Sequence, residues 1–232
     1  MRTILLHLIG LISLVHLSAS EVEESTVRFN AISLSGTIRG LHFINGQQQE
    51  TISIYNDTRS AQISYKGDSI LSFFREDPEL IDASGNSIRN IVGSVKLPPS
   101  GTYLLLFAAE DSKEESYRIS VTPDDVATFQ QGAYRFINLA PFDIALKLGD
   151  TTTLLPKKKY TDVISIAKDR TYQEAIMMSL VKDKKPLLSY KGAFYFDPNK
   201  RLIYIIKPKS KGRLGRIDFR VISDMPTVTA SL

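Results

Sequence analysis

The segment FDIALKL, Phe142 to Leu148, decides the fold class. Every second residue in it is apolar, and Asp143, Ala145 and Lys147 stand between the apolar positions. Because successive side chains of a β-strand point to opposite faces of a sheet, this alternation predicts a strand with one buried face and one wetter face. The segment therefore predicts β-structure in the second half of the chain.

Further segments of the same kind surround it. They are short, rich in Ile, Val, Tyr and Phe, and separated by Gly, Pro, Asn and Asp. The predicted strands of this half are Tyr134–Asn138, Phe142–Leu148, Tyr160–Ala167, Ala175–Val181, Ala193–Phe196, Leu202–Lys207 and Ile217–Ile222. So many short strands in so short a segment are typical of an antiparallel β-sandwich.

Three segments are less regular. The composition of Thr171–Asp183 suits a helix or a strand, and we favour the strand. Thr26–Leu34 predicts an additional strand that closes the edge of the first sheet. In the linker Thr122–Gln131, Asp124 or Asp125 is expected to cap a single helical turn.

The chain also matches itself. Gly40–Thr58, GLHFINGQQQETISIYNDT, matches Ala133–Thr151, AYRFINLAPFDIALKLGDT, at an offset of 93 residues, chiefly in Phe-Ile-Asn and Asp-Thr. Two later pairs keep the same order, namely Pro99–Phe107 with Pro198–Ile206 and Tyr117–Val121 with Phe219–Ser223. Ordered matches predict an internal duplication and two tandem antiparallel β-sandwiches, residues 21–125 and 126–232.

The first 20 residues, MRTILLHLIGLISLVHLSAS, predict a signal peptide. One Arg precedes an apolar run from Ile4 to Leu17, and Ser18 and Ser20 are small enough for cleavage before Glu21. A bilayer span needs ~20 apolar residues, so this run is short for one, although an uncleaved anchor is the alternative. We expect an exported chain with no transmembrane segment after cleavage.

Residue types that carry common chemistries are scarce. Cysteine is absent, which excludes disulfides and thiolate metal sites, and an exported chain without cysteine is typical of bacteria. Only His42 follows the predicted signal peptide, and no Gly-x-Ser-x-Gly sequence or phosphate-binding loop occurs. We therefore expect no catalytic residues, no cofactor and no metal. We expect the mature chain to lie in the periplasm, at the cell surface or outside the cell.

The acidic cluster around Glu79 leaves two alternatives open. Asp77, Glu79, Asp82 and Asn86 offer oxygen ligands for calcium, but their spacing differs from that of an EF-hand loop. Two of the carboxylates could instead serve an undetected hydrolase, because spacing in sequence does not fix distance in space. We favour a simpler interpretation, in which Asp77 and Pro78 begin a short capped helix.

The net charge of +4 hides a division between the halves. Residues 21–125 hold 9 Lys or Arg against 16 Asp or Glu, a net charge of −7, and residues 126–232 hold 19 against 9, a net charge of +10. If the two halves are aligned as copies, the predicted hairpin AAEDSKEES, Ala108–Ser116, corresponds to the predicted hairpin KPKSKGRLGR, Lys207–Arg216. The first carries four acids and one lysine, and the second carries five cations and no acid. Such asymmetry indicates a partner rather than a fold.

The candidate binding residues follow from this asymmetry. They are Lys157, Lys158, Lys159, Lys207, Lys209, Lys211, Arg213 and Arg216 on the basic side, and Glu110, Asp111, Glu114 and Glu115 on the acidic side. The first hypothesis is head-to-tail self-association, or binding of another protein, through opposite charges; docking of the two halves within one chain is its alternative. A plainer interpretation is that the charges only keep exposed hairpins hydrated.

The second hypothesis is an anionic polysaccharide or surface polymer bound by the basic half. The lysines at 182–185 and Lys191 would join the basic residues above on one face. Tyr160, Tyr172, Tyr190 and Tyr195 would be available for stacking. Nucleic acid is not expected, because the chain is predicted to be exported and lacks a nucleic-acid-binding motif.

Arg135–Asn138, RFIN, resembles the opening strand of secreted bacterial immunoglobulin-like repeats, and His42–Asn45 matches it in part. The resemblance covers a short part of each half and implies a non-catalytic adhesion, scaffold or binding module. The sequence therefore predicts an all-β, exported interaction or assembly protein of the bacterial cell envelope with two immunoglobulin-like sandwiches.

Overall fold

The computed structural model describes residues 23–81, 85, 87–111, 115–160, 164–165, 171–195, 197–209 and 214–225, with the backbone alone at 77–80, 111, 160 and 165. All regular secondary structure in these ranges is β-strand, which confirms the predicted all-β class. Among these residues no helix has the length and apolar character needed to cross a bilayer.

The first half forms two four-stranded sheets. Its strands are β1 (Glu24–Ser33), β2 (Ile38–Asn45), β3 (Gln48–Ile54), β4 (Ile63–Asp68), β5 (Ile70–Ile81), β6 (Ser87–Lys96), β7 (Ser100–Asp111) and β8 (Ser116–Pro123). Sheet A has the order β4-β1-β7-β8, and sheet B has the order β3-β2-β5-β6. Their inner faces enclose one apolar core, in which the rings of Phe73 and Phe107 meet edge to face at 5.0 Å.

The second half forms another pair of sheets. Its strands are β9 (Ala133–Asn138), β10 (Asp143–Leu148), β11 (Thr151–Leu155), β12 (Lys159–Tyr160), β13 (Ile164–Ser165), β14 (Tyr172–Leu180), β15 (Leu187–Tyr195), β16 (Arg201–Pro208) and β17 (Ile217–Asp224). Sheet C has the order β12-β9-β16-β17, with β13 also paired to β9, and sheet D has the order β11-β10-β14-β15. Tyr134, Phe136 and Phe194 contribute aromatic rings to the core between them.

The order of strands is the same in the two pairs of sheets. Sheet A corresponds to sheet C and sheet B to sheet D when β9 takes the place of β1 and the others follow in turn. Both β1–β7 and β9–β16 are parallel pairs within otherwise antiparallel sheets. This arrangement is compatible with two β-sandwiches.

This topology corrects two predictions. The strand expected at Thr26–Leu34 is β1, which lies between β4 and β7 instead of at an edge. Gly40–Thr58 forms β2 and β3 of sheet B, whereas Ala133–Thr151 begins with β9 of sheet C and continues with β10 of sheet D. The segments matched at an offset of 93 therefore do not occupy the same places in the sheets.

Local predictions had mixed outcomes. The strand preferred for Thr171–Asp183 is confirmed as β14. The short helix expected at Asp77 and Pro78 is wrong, because β5 continues to Ile81 with a shift in register after Asp77, a place where a strand tolerates proline. The capped turn in the linker is confirmed, since Thr128 N–H donates to Asp125 Oδ1 at 2.8 Å.

The two halves pack on each other through the outer faces of sheets A and C. A cluster of buried apolar residues, here called the junction cluster, draws on both halves. Its members are Ile32, Leu34, Leu104, Leu106, Phe129, Ala133, Ile137, Ile203, Ile205 and Ile222. The layers therefore follow the order B, A, C, D, and the halves dock within one chain through apolar faces rather than charged hairpins.

Two hydrogen bonds between the halves, at different positions along the strands, fix the relative direction of sheets A and C. Arg201, the first residue of β16, donates from Nη1 to Asp124 O at 2.8 Å, and Asp124 lies beside the beginning of β7. Farther along sheet C, Arg220 donates from Nη2 to Ser33 O, at the end of β1, at 3.0 Å. β7 and β16 thus run in the same general direction, and the connections that follow them begin at the same end of the molecule.

Candidate functional site: the basic end of the second half

Four connections meet at one end of the second sandwich. They follow β9, β11, β14 and β16. Asp143 pairs with Leu180 in sheet D, and Lys159 pairs with Asn138 in sheet C, so the strand ends of each sheet lie level. Topology thus gathers residues that are far apart in sequence.

The gathered connections carry a concentrated positive charge. The exposed cations among the described residues of these connections are here called the basic end. They are Lys157, Lys158, Lys159, Lys182, Lys184, Lys185, Lys209 and Arg216. The described acids beside them are Asp143, Asp183 and Asp218. Of the eight cations only Lys209 has a described carboxylate oxygen, that of Asp218, as near as 4.0 Å. Unneutralised charge at this density attracts anions over about one Debye length, ~8–10 Å at physiological salt.

Asn138 ties sheet C to the loops of sheet D. Its side chain is buried, and its amide nitrogen donates to Phe142 O at 3.0 Å and to Leu155 O at 2.9 Å. Its amide oxygen accepts from Ala140 N–H at 2.9 Å. These bonds satisfy buried backbone groups, and they hold the strand that leads into Lys157.

Two buried serines, Ser179 and Ser189, hold Gly215 in the connection that leads into β17. Ser179 Oγ donates to Gly215 O at 2.7 Å, and Ser189 Oγ lies 2.9 Å from the same oxygen. Gly215 has a φ of +83°, and a Cβ there would lie 2.8 Å from Leu187 Cδ1. Glycine is therefore required where the connection between β16 and β17 contacts β14 and β15 of sheet D.

The predicted basic residues are only partly assembled at this end. Lys157, Lys158, Lys159, Lys209 and Arg216 lie there, whereas Lys211 and Arg213 lie outside the described residues. Lys207 is half-buried in β16, and burial, with the nearby Arg220, lowers the pKa of its ammonium group below the ordinary value. Lys207 therefore belongs to the sheet rather than to the exposed surface.

Of the four predicted acidic residues, only Glu110 and Glu115 have described side chains. Glu110 is exposed at the end of β7, but the Glu115 carboxylate is held by the guanidinium of Arg75, with Nη2 to Oε1 at 3.0 Å. The side chain of Asp111 and the whole of Glu114 lie outside the described residues.

The tyrosines expected beside the lysines are elsewhere. Tyr190 packs into the core, where its ring meets that of Phe219 at 5.0 Å. Tyr172 and Tyr195 lie on sheet D at the end opposite the basic end. The side chain of Tyr160 lies outside the described residues.

Nothing in the sequence indicated the buried charge cluster that lies beside the junction cluster. Asp124 is almost fully buried and accepts from Arg59, with Nη2 to Oδ1 at 3.2 Å, and from Arg201, with Nη2 to Oδ2 at 3.4 Å. Arg201 Nε also donates to Asp224 Oδ2 at 2.6 Å. These four side chains come from both halves and the linker, and their role here is to hold the halves together.

The other chemistries considered from the sequence have no support among the described side chains. His42 lies on the outer face of sheet B with Nδ1 3.0 Å from Thr51 Oγ1. No group of three described acidic or histidine side chains is placed to hold a metal ion. The calcium and hydrolase candidates Asp77, Glu79, Asp82 and Asn86 all lie outside the described side chains.

No protein-family model matches the chain, and a search of curated protein sequences returned no similar protein. The functional argument therefore depends on the site itself.

Proposed function

We propose that this chain is an exported, non-catalytic interaction protein of the bacterial cell envelope that binds an anionic surface polymer through the basic end. A polymer with regularly spaced negative charges would engage several of the eight cations at once. It would release counterions on binding, so its affinity should fall steeply as salt rises.

One observation carries this proposal. Among the described residues, eight exposed cations from loops of both sheets meet at one end, with three described acids beside them. Hydration of loops alone would not require the buried bonds of Asn138, Ser179 and Ser189, which hold the chain at Leu155, just before Lys157, and at Gly215, next to Arg216. A preorganised charged surface loses less conformational entropy on binding than flexible loops do.

The proposal includes the origin of the fold. The shared strand order supports two β-sandwich domains that arose by duplication of one unit, with β1 equivalent to β9 and not to β2. The likeness to immunoglobulin-like repeats rests on Arg135–Asn138 and not on the strand order. In that register Arg28-Phe29 aligns with Arg135-Phe136, and both phenylalanines point into their cores. One copy would then have acquired the basic end while the other remained acidic.

The test is binding to immobilised heparin as a model polyanion. In residues 21–232, replacement of Lys157, Lys158 and Lys159 by Gln should weaken binding at least about tenfold. The slope of log affinity against log salt should become shallower by about one for each lysine that no longer pairs with an anionic group of heparin. The matched control replaces Lys66, Lys96 and Lys200 by Gln, which removes the same charge from solvent-accessible positions elsewhere. Equal weakening in both variants would show that only net charge matters and would refute the basic end as the site.

Head-to-tail self-association is the second candidate, and the charge division between the halves favours it. The geometry favours it less, because β7 and β16, which lead into the acidic and basic hairpins, end at the same end of the molecule, whereas an open contact between hairpins needs them at opposite ends. Light scattering with size exclusion at low and high salt decides the matter. A charge-driven assembly should be large at low salt and monomeric at high salt; a monomer at both would refute it.

A further inference from the structure

The outer face of sheet D is unlike the solvent-facing side of an ordinary antiparallel sheet, which is mainly polar. Leu154, Ala145, Met178 and Leu188 form one cross-strand row over all four strands, and Leu154 and Leu188 are more than half exposed. This sheet is an outermost layer of the molecule, so its face is open to a ligand.

Two tyrosines form the most exposed aromatic pair on this face. Tyr172 and Tyr195 are cross-strand neighbours on β14 and β15, their ring centroids are 6.0 Å apart, and they are 57% and 67% exposed. Aromatic rings contribute most to the free energy of folding or binding when other groups bury them. A pair left uncovered in the free protein offers an apolar surface for stacking, with hydroxyl groups at its rim.

A shallow cleft of about 540 Å³ adjoins Tyr172. Asp150, Gln173 and Glu174 line it with hydrogen-bonding groups, and the β10–β11 turn forms its end wall. A ring-shaped ligand rich in hydroxyl groups fits this combination, because one side is aromatic and the other offers oxygen and nitrogen partners.

Lysines lie two rows away from the tyrosine pair. Lys147, Ile176 and Lys191 pair across β10, β14 and β15, so the two cations flank one apolar side chain. Lys147 is exposed in the cleft, and Lys191 Nζ is 3.7 Å from Glu174 Oε1. The row lies four residues from Tyr172 along β14, roughly 13 Å. A chain of several sugar units that carry carboxylates would therefore meet both the rings and the cations.

We propose that the outer face of sheet D binds a polysaccharide that contains uronic acids. Sugar rings stack on Tyr172 and Tyr195, and carboxylates reach Lys147 and Lys191. This inference deepens the proposed function and rests on it in one respect, since it identifies the anionic polymer as a polysaccharide; the site itself is separate from the basic end.

The test uses polygalacturonate and its fully methyl-esterified, uncharged form as probes for residues 21–232 in which Lys157, Lys158 and Lys159 are replaced by Gln, so that the basic end contributes little to binding of the charged polymer. Tyr172→Ala with Tyr195→Ala should weaken binding of both polymers about tenfold or more, because stacking does not need the charge. Lys147→Gln with Lys191→Gln should weaken binding of polygalacturonate alone. Tyr55→Ala, which removes a tyrosine 40% exposed in the first half, is the matched control and should change neither.

The outcomes separate the two proposals. Unchanged binding in the tyrosine variant, or no binding of either polymer by the unaltered chain, would overturn the proposed site on the outer face of sheet D while leaving heparin binding at the basic end intact. Tyrosine-dependent binding of the uncharged polymer with no effect of the Lys157, Lys158 and Lys159 replacements on heparin would overturn the basic end alone. Tyrosine-dependent binding of oligo(dT) without binding of either galacturonan would overturn the assignment to a polysaccharide.

Discussion

Tyr204 shows how the core of the second half controls a single side chain. Its ring lies 4.8 Å from that of Phe194 and 5.3 Å from that of Phe136. Burial, with the neighbouring Tyr190, raises the pKa of its hydroxyl to about 12. Burial likewise raises the pKa of Tyr134, so both phenols resist ionisation in the folded state.

These shifts predict loss of stability in alkali. Ordinary tyrosines ionise near pH 10, so the stability that these groups contribute is complete below about pH 10 and is lost as pH rises from there towards 12, because only the unfolded state then releases their protons. Denaturant unfolding at a series of pH values, with absorbance of phenolate, measures this. Tyr204→Phe should make the decline shallower; ionisation of all tyrosines near pH 10 in a folded chain would contradict the prediction.

Single residues also explain why the chain matches itself at an offset of 93 residues that the sheets do not follow. Asn45 and Asn138 end strands in sheets B and C, and both use their amides to bridge neighbouring chain segments. The shared Phe-Ile-Asn reflects a buried aromatic followed by a bridging asparagine, a local role that recurs at different places in a fold. Position in a sheet depends on partners distant in sequence, and three residues do not encode those.

Asn138 supports the element on which the basic end depends. Asn138→Ala removes three hydrogen bonds in a buried setting and leaves Phe142 O and Leu155 O without this donor. The free energy of unfolding should fall by roughly 2–4 kcal/mol, because buried carbonyls without partners are costly.

A matched control is Asn45→Ala, which removes a comparable set of bonds, including Nδ2 to Ser64 O at 2.9 Å, in a solvent-accessible setting. Its cost should be below about 1 kcal/mol, since water replaces the missing partners. Urea denaturation measures both variants, and equal losses would show that burial does not strengthen the Asn138 bonds.

At the scale of elements, alternation predicted most strands of the second half and little of their order. β10 carries clear apolar alternation. β14 has four consecutive apolar residues, Ala175 to Met178, and is preferred as a strand without such a pattern. β11, TTTLL, has too few apolar residues to be found. The parallel partner of β1 is β7, which begins at Ser100, and such a separation leaves no local mark. The lysines of the basic end were visible as runs, but their convergence follows from this non-local pairing.

The whole molecule depends on the junction between sheets A and C. Each buried Leu or Ile of the junction cluster contributes roughly 1.5–3 kcal/mol, so apolar burial is the main contribution to the docking of the two halves. The charge cluster around Asp124 adds direction, because hydrogen bonds to buried carboxylates and carbonyls fix one docking geometry.

Ile205→Asp tests this junction. Ile205 is fully buried in the junction cluster on the outer face of sheet C, so its replacement places a charge between the halves while the separate cores of the two sandwiches keep their residues. The halves should separate but stay folded. Small-angle scattering should show a larger radius of gyration than for the unaltered chain. Calorimetry should show two unfolding transitions for the variant and one for the unaltered chain. Val221→Asp makes a similar change at an exposed position on the neighbouring strand β17 and should have neither effect. A compact Ile205→Asp variant with one transition would mean that the charge cluster alone holds the halves together.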